Sequence, residues 1–312
     1  MIKDIINYEG PIDGVIFMVK QATRALSNSG SPYLVLQLQD NSGTLEGRKW
    51  NIDDGDLEIC TPGSLIRISG MMQNYRGHPQ LKVNDIDFVS PEQVDLNRFV
   101  PSAPASQEKM LSKLSEFISL IQDSDLKKLT ETIIEERKSA YTTYPAAVTV
   151  HHAYYGGLLY HSLSICAMAI KTCDSYSFLN RDDLLAGSLL HDIGKTKELS
   201  SATAASYTEE GNLLGHISIG AMIVHEAGER LHLPQEKLDV ITHMILAHHG
   251  KLEFGSPKTP MTAEAFVLHQ LDELDSKLEV LKEAYNVTEE GSFTNKIPWL
   301  DSSTFFKPHR QK

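Results

Sequence analysis

Cysteine is scarce in this sequence: Cys60, Cys166 and Cys173 are the only thiols in 312 residues. A chain of this length buries enough surface to fold without covalent staples, so no disulfide framework is expected. The thiols should be buried and reduced, as in a cytoplasmic protein. Long apolar runs are also missing. Nothing approaches the ~18 uninterrupted apolar residues of a membrane span, and Met1-Ile2-Lys3-Asp4 carries an acid where a secretory leader would carry its apolar stretch. The expectation is a cytoplasmic chain with no membrane partner. Positive charge is short as well, with 29 Lys and Arg against 41 Asp and Glu and a net charge of −12. That balance excludes a protein that coats nucleic acid by bulk electrostatics, but not an enzyme that grips one strand locally. No internal repeat is found.

What is present first is β-pattern. Val15–Val19, Tyr33–Gln39, Thr44–Trp50, Ser64–Met72 and Leu81–Val89 are short runs rich in β-branched and aromatic residues. Asp40-Asn41-Ser42-Gly43, Pro62-Gly63 and Arg76-Gly77-His78-Pro79 punctuate them as turns. Strands of this length and number suggest a small barrel, of which the OB-fold is the commonest kind. Phe17, Tyr33, Trp50 and Tyr75 are candidate platforms for stacked bases, with Arg48, Lys49, Arg67, Arg76 and Lys82 as phosphate partners. Trp50 and Tyr75, next to basic residues, are the best two.

The texture then changes. Ser90-Pro91 and Val100-Pro101-Ser102-Ala103-Pro104-Ala105-Ser106 read as a linker. Beyond it Leu111, Leu114, Phe117, Ile118 and Ile121 open a run of amphipathic helices. Further helices are expected at 125–141, 157–173, 182–191, 216–231, 235–248 and 262–285. The organisation is multi-domain α+β: an OB-like β-barrel over 1–90, a linker over 91–108, an all-α domain over 109–300, and a basic tail over 301–312, mobile from Lys307 to Lys312.

Most of the 13 histidines fall between His151 and His269. Imidazoles at that density on helices need partners. In Leu189-Leu190-His191-Asp192-Ile193-Gly194-Lys195 an apolar helix ends on two adjacent ligand-type residues, with a glycine at its terminus. A neutral imidazole and a carboxylate together suit divalent Mn, Fe, Zn or Mg. His161, His216, the His248-His249 pair and Asp272 each lie on another expected helix, and such residues can converge in a bundle core as di-metal sites do.

The order His161, His191-Asp192, His216, His248-His249, Asp272 resembles the HD superfamily of metal-dependent phosphohydrolases. The local wording carries the resemblance: Gly-Gly-Leu-Leu-Tyr-His at 156–161, Leu-Leu-His-Asp-Ile-Gly-Lys at 189–195, Leu-Leu-Gly-His-Ile at 213–217 and Ala-His-His-Gly at 247–250. With a barrel ahead of it, the layout is similar to the YhaM-type 3′-to-5′ exoribonucleases of Gram-positive bacteria over nearly the whole chain. The resemblance implies His161, His191, Asp192 and Asp272 as core metal ligands, with His216, His248 and His249 completing a second metal position. His248 and His249 can both reach it only if their helix frays at Gly250. Asp192 is the natural bridging carboxylate, and Lys195 resembles the motif lysine that contacts phosphate. His269 and Asp275 would orient ligands. His151, His152, Tyr154 and Tyr155 would help hold substrate. The implied activity is 3′-5′ exoribonucleolytic, releasing nucleoside 5′-monophosphates from single-stranded RNA, with single-stranded DNA as a second substrate. Mn²⁺ is the first choice of ion, two per site, ahead of Mg²⁺, Fe²⁺ or Co²⁺, and a homo-oligomer is compatible with the chain.

Two rival readings stay open at this level. One is an HD phosphohydrolase of free or cyclic nucleotides, although the Gly-Tyr-Pro signature of the cyclic-dinucleotide enzymes is absent after His248-His249-Gly250. The other is a non-catalytic RNA-binding protein with a relict metal site.

Overall fold

The computed structural model describes residues 1–27, 30–90, 93–100, 103–148, 154–203 and 205–309. Two compact units divide the chain, Met1–Ser102 and Ala103–Lys312. Among the described residues, no helix is long and apolar enough to cross a membrane.

The first unit holds β1 (Gly10–Leu26), β2 (Pro32–Asp40), β3 (Gly43–Trp50), β4 (Leu65–Tyr75) and β5 (His78–Val89), with two short helices, α1 (Ile2–Ile5) and α2 (Asp54–Ile59). The strands close into a barrel in the order β1-β2-β3-β5-β4. Strict alternation explains why: Leu34, Leu36 and Leu38 all point inward from β2 and are fully buried, as a period of two demands. β1 is much longer than its apolar run because it serves two neighbours. Its first half pairs with β4 and its second half with β2, and register shifts at Ile12/Val15 and Val19/Gln21 let it turn between them. A parallel pairing of Glu46–Lys49 with Gln80–Val83 completes the ring. His78 and Pro79 are therefore strand residues, and only Arg76-Gly77 form the turn. Phe17 is completely buried in the barrel core, which corrects its reading as a stacking platform. Truncating so buried a ring costs about 3–5 kcal/mol.

The described residues of the expected linker over 91–108 are largely structured. Leu96–Arg98 form a 3₁₀ turn, and Phe99 and Val100 are buried. The Gln39 side chain donates to the Phe99 carbonyl and the Asn41 amide to that of Arg98, so this stretch belongs to the barrel unit. Ser106 already caps the next helix.

The second unit is built from α3 (Gln107–Leu120), α4 (Ser124–Glu136), α5 (Lys138–Thr143), α6 (Gly157–Ser175), α7 (Arg181–Leu190), α8 (Lys195–Glu198), α9 (Glu209–Arg230), α10 (Gln235–Ala247) and α11 (Ala263–Asn286), with a small hairpin of β6 (Ser292–Phe293) and β7 (Phe306–Lys307). α7 lies at the centre: Leu184 to Leu190 are all buried, and α3, α4, α6, α10 and α11 pack around it. Asn180 starts it by accepting from the Asp182 and Asp183 amides. The helix expected over 125–141 is broken at Arg137 (φ −118°, ψ 14°). The bend allows Tyr141 to bury its ring and donate to the Leu189 carbonyl. The tail also departs from expectation. Phe306 and Lys307 pair with β6, and the Lys307 ammonium donates to the carbonyls of Tyr285 and Thr288 at 2.7 Å. A cation at the C-terminal end of α11 meets carbonyls that lie past the regular helical ladder and the negative pole of the helix. All three cysteines are free, with Cys60 and Cys166 buried.

Candidate metal centre

α6, α8, α9, α11 and the C-terminal ends of α7 and α10 each deliver a polar side chain to one point. His161 lies on the second turn of α6, and His191 caps α7 with Asp192 following. Lys195 and Glu198 are the ends of the one-turn α8. α9 breaks at Gly215 (φ 70°, ψ 153°), so that His216 opens its second segment. His248 caps α10, and Gly250 in the left-handed region (φ 75°) ends that helix so that His249 also turns inward. Asp272 and Asp275 lie one turn apart on α11. Gly194 permits the closest approach: a Cβ there would lie 1.9 Å from the His216 carbonyl oxygen, so any other residue would push α8 away from α9.

Asp192 is the hub and is 2% exposed. Its Oδ2 lies 2.7 Å from Lys195 Nζ, 3.3 Å from His191 Nε2 and 3.7 Å from His161 Nε2. Its Oδ1 faces His216 Nε2 at 3.5 Å and His248 Nε2 at 3.7 Å. Asp272 Oδ1 is 3.1 Å from His161 Nε2. The His249 ring stands 4.4 Å from that of His248 and 5.2 Å from that of His216, centroid to centroid. Two groups have donor atoms close enough to share an ion, His161, His191 and Asp192 in one and His216, His248 and His249 in the other.

The imidazoles share one design. Each has Nδ1 bonded to a fixed acceptor, leaving Nε2 turned to the centre. The acceptors are Asp275 for His161 (2.7 Å), the Ser188 carbonyl for His191 (2.9 Å), Glu198 for His216 (3.1 Å), the Ile245 carbonyl for His248 (2.7 Å) and the Phe254 carbonyl for His249 (2.8 Å). With Nδ1–H donating to these acceptors, a neutral ring carries its lone pair on Nε2, the form a cation needs. Asp275 itself accepts from Ser164. His269 donates to the His248 carbonyl at 3.0 Å.

Electrostatics agree with this placement. Burial opposes ionisation of Asp192, yet the charges of Lys195 and His191 hold its carboxyl well below the usual range. Burial, reinforced by neighbouring imidazoles, keeps His248 well below its ordinary pKa, and His249 is lowered in the same way. His161 is the exception: burial lowers it, but hydrogen bonds to Asp272 and Asp275 outweigh that and push it up to about 9.

Whether a metal fits can be judged from atoms left without partners. Among the described residues, the buried atoms lacking a hydrogen bond include Asp192 Oδ1, His216 Nε2 and His248 Nε2, which face one another. An unpaired buried polar atom costs about 1–3 kcal/mol, and clustering such atoms without a ligand would be a poor use of stability. All are nitrogen or oxygen donors of the kind divalent ions accept. The residues fit a metal.

Glu198 is the member that sequence reasoning missed. Nothing in Lys195-Thr196-Lys197-Glu198 distinguishes it from a solvated helix end, yet it is 8% exposed and bonded to His216. Lys195, expected against phosphate, is bonded to Asp192 here. Among the expected substrate contacts, His151 and His152 lie outside the described residues. Tyr155 is half-buried, and its carbonyl accepts from the Ala103 amide. On the barrel, Trp50 stacks on Tyr33 with centroids 4.4 Å apart, while Arg48 and Arg76 lie 5.7 and 5.3 Å from the Tyr75 ring centre. Trp50, Tyr75, Arg48 and Arg76 thus form two exposed aromatic groups on one unit. Lys49 is instead taken up by Asp56 at 3.3 Å.

Comparison with known proteins extends the picture. The HD domain family model matches residues 158–277, and a second model carrying a helicase description matches residues 102–197. Over 310 residues the chain is 38% identical to the 3′-5′ exoribonuclease YhaM of Geobacillus sp. (strain WCH70), covering 99% of this chain and 96% of that protein. It is 37% identical over 292 residues to the 3′-5′ exoribonuclease YhaM of Bacillus subtilis (strain 168), covering 93% of each. Among solved structures, the second OB-fold domain of replication protein A from Methanococcus maripaludis is similar to 27% of this chain and 86% of its own, at 22% identity and a TM-score of 0.21. On its near-full-length identity to these proteins, the chain belongs to the YhaM family of 3′-5′ exoribonucleases and carries the HD domain.

Proposed function

We propose that this protein is a metal-dependent 3′-5′ exoribonuclease that shortens single-stranded RNA to nucleoside 5′-monophosphates. The observation that carries the reading is the set of buried, unpartnered donor atoms on Asp192, His216 and His248 that face one another. His161, His191, Asp192 and Asp272 would hold one ion, and His216, His248 and His249 a second, with Asp192 between them. Divalent cations held there, Mn²⁺ the first candidate, would neutralise charge on the phosphodiester and acidify an attacking water.

The chain supplies what surrounds that chemistry. Fixed acceptors on each Nδ1 keep the imidazoles aimed without reorganisation. Lys195 offsets the negative charge of Asp192 and is proposed to meet the phosphate of an incoming strand. The barrel, whose strand order and parallel β3–β5 pairing are those of an OB-type fold, is proposed to grip single strands through Trp50, Tyr75, Arg48 and Arg76. Tyr155, His151 and His152 remain proposed substrate contacts. Free thiols throughout fit a reducing, cytoplasmic setting.

The test is direct. With Mn²⁺, the purified protein should shorten a 5′-labelled single-stranded RNA stepwise from its 3′ end. Asp192→Ala should slow this on the order of 10³-fold or more, since it removes a ligand shared by both positions. Intact RNA under several metals, with free nucleotides hydrolysed instead, would overturn the reading.

A further inference from the structure

The two groups of donors are not supported alike. On the His161 side, support comes from Asp275 on α11, fixed by Ser164, and from the Ser188 carbonyl. On the other side, His248 and His249 lean on backbone carbonyls, and His216 leans on Glu198 through both its Nδ1 and its amide. The break at Gly215 removes the His216 amide from the regular helical ladder. Glu198 Oε1 takes that amide at 2.9 Å and His216 Nδ1 at 3.1 Å. One oxygen therefore caps the second segment of α9 and fixes the tautomer of its first side chain.

Glu198 itself cannot drift. Its amide donates to the Gly194 carbonyl and its carbonyl accepts from Thr208, both at 2.9 Å. Gly211 is packed so closely that a Cβ there would lie 2.4 Å from the Glu198 carbonyl oxygen. α8 is in effect a clamp: at its first position Lys195 grips Asp192, and one turn later Glu198 grips His216.

We infer that Glu198 is a positioning residue that sets one of the two ion positions, the one built on His216, His248 and His249, while the position built on His161 and Asp272 stands without it. The inference rests on the proposed pair of ions. Full-length protein, stripped by chelation, is titrated with Mn²⁺ as wild type, Glu198→Ala, Glu198→Gln, Asp275→Ala and the Glu198→Ala/Asp275→Ala double variant. Calorimetry and metal content give stoichiometry and affinity, and thermal melts in chelator monitor folding. Wild type should bind two ions. Glu198→Ala should keep one at wild-type affinity and bind the other about 10–100-fold more weakly. Glu198→Gln, whose amide oxygen can accept both N–H bonds, should recover most of that loss and melt like wild type. Asp275→Ala should weaken a single ion too, and the double variant should weaken both, because the residues serve different positions. Wild-type affinity at both positions in Glu198→Ala overturns the inference. So does a glutamine variant no better than alanine, or a double variant still weakened at only one ion. A wild type that takes up fewer than two ions instead sinks the paired-ion site itself, whatever Glu198 does.

Discussion

Asp192 and Trp50 stand at opposite extremes of one chain. The carboxylate is 2% exposed and touched by a lysine and four imidazoles, and the indole is 40% exposed and leans on one tyrosine. In the helical unit, the site's side chains are withdrawn from water and the Nδ1 of each inward histidine is held by a fixed acceptor, which makes them intolerant of change. In the barrel, the groups proposed to meet RNA lie outside a core that needs none of them. The proposed chemistry is thus lodged where substitution is costly, and the proposed binding where it is cheap.

Chelation should break the two apart most sharply. Removing metal from the full chain is expected to slow hydrolysis by on the order of 10³-fold or more. The affinity for a single-stranded RNA, measured by fluorescence anisotropy, should change by less than about threefold if stacking and phosphate contacts on the barrel dominate. Release of RNA on chelation would show that binding belongs to the metal site instead. A smaller effect is expected from Trp50→Ala, which should weaken RNA binding by about 5–100-fold, the range for one lost base stack, while the melting temperature stays within about 1 °C. If it melts early with RNA binding intact, Trp50 is a structural residue.

The smallest effect sharpens the chemistry side. In chelator, His161 has a pKa raised to about 9 by Asp272 and Asp275 against the opposing pull of burial, above the ~6.5 of an unfolded histidine. A pKa raised by folding contributes stability that is complete below the unfolded value and is lost as pH rises through the folded one. The metal-free protein should therefore lose a few degrees of melting temperature between pH 6.5 and 9.5, and Asp275→Asn should flatten that slope. A melting temperature constant across the window would contradict the charged His161–Asp275 pairing.

Much of this architecture is legible in the amino-acid sequence. The barrel strands show because alternate residues face a core, and the ligand set shows because histidine is rare enough on helices for His191-Asp192 and His248-His249 to stand out. What escapes depends on contacts between distant segments. Glu198 looks like any charged residue in a charged turn until His216 arrives from α9. Lys307 looks like part of a basic tail until the end of α11 presents its carbonyls. Arg137 gives no local sign of breaking a helix, because the break serves Tyr141, buried against α7. The expected linker fails for a related reason: Phe99 and Val100 belong to a core whose other members are far away in sequence.

Anchoring each imidazole at Nδ1 has a further consequence, for how the protein trades ions. Because the rings are parked by backbone and carboxylate rather than by the cation, loading and unloading need not be folding events. Mn²⁺, Fe²⁺ and Co²⁺ would meet the same prearranged donors, so occupancy would follow supply and donor chemistry rather than shape. A nuclease built this way would carry whichever of these ions its surroundings supply.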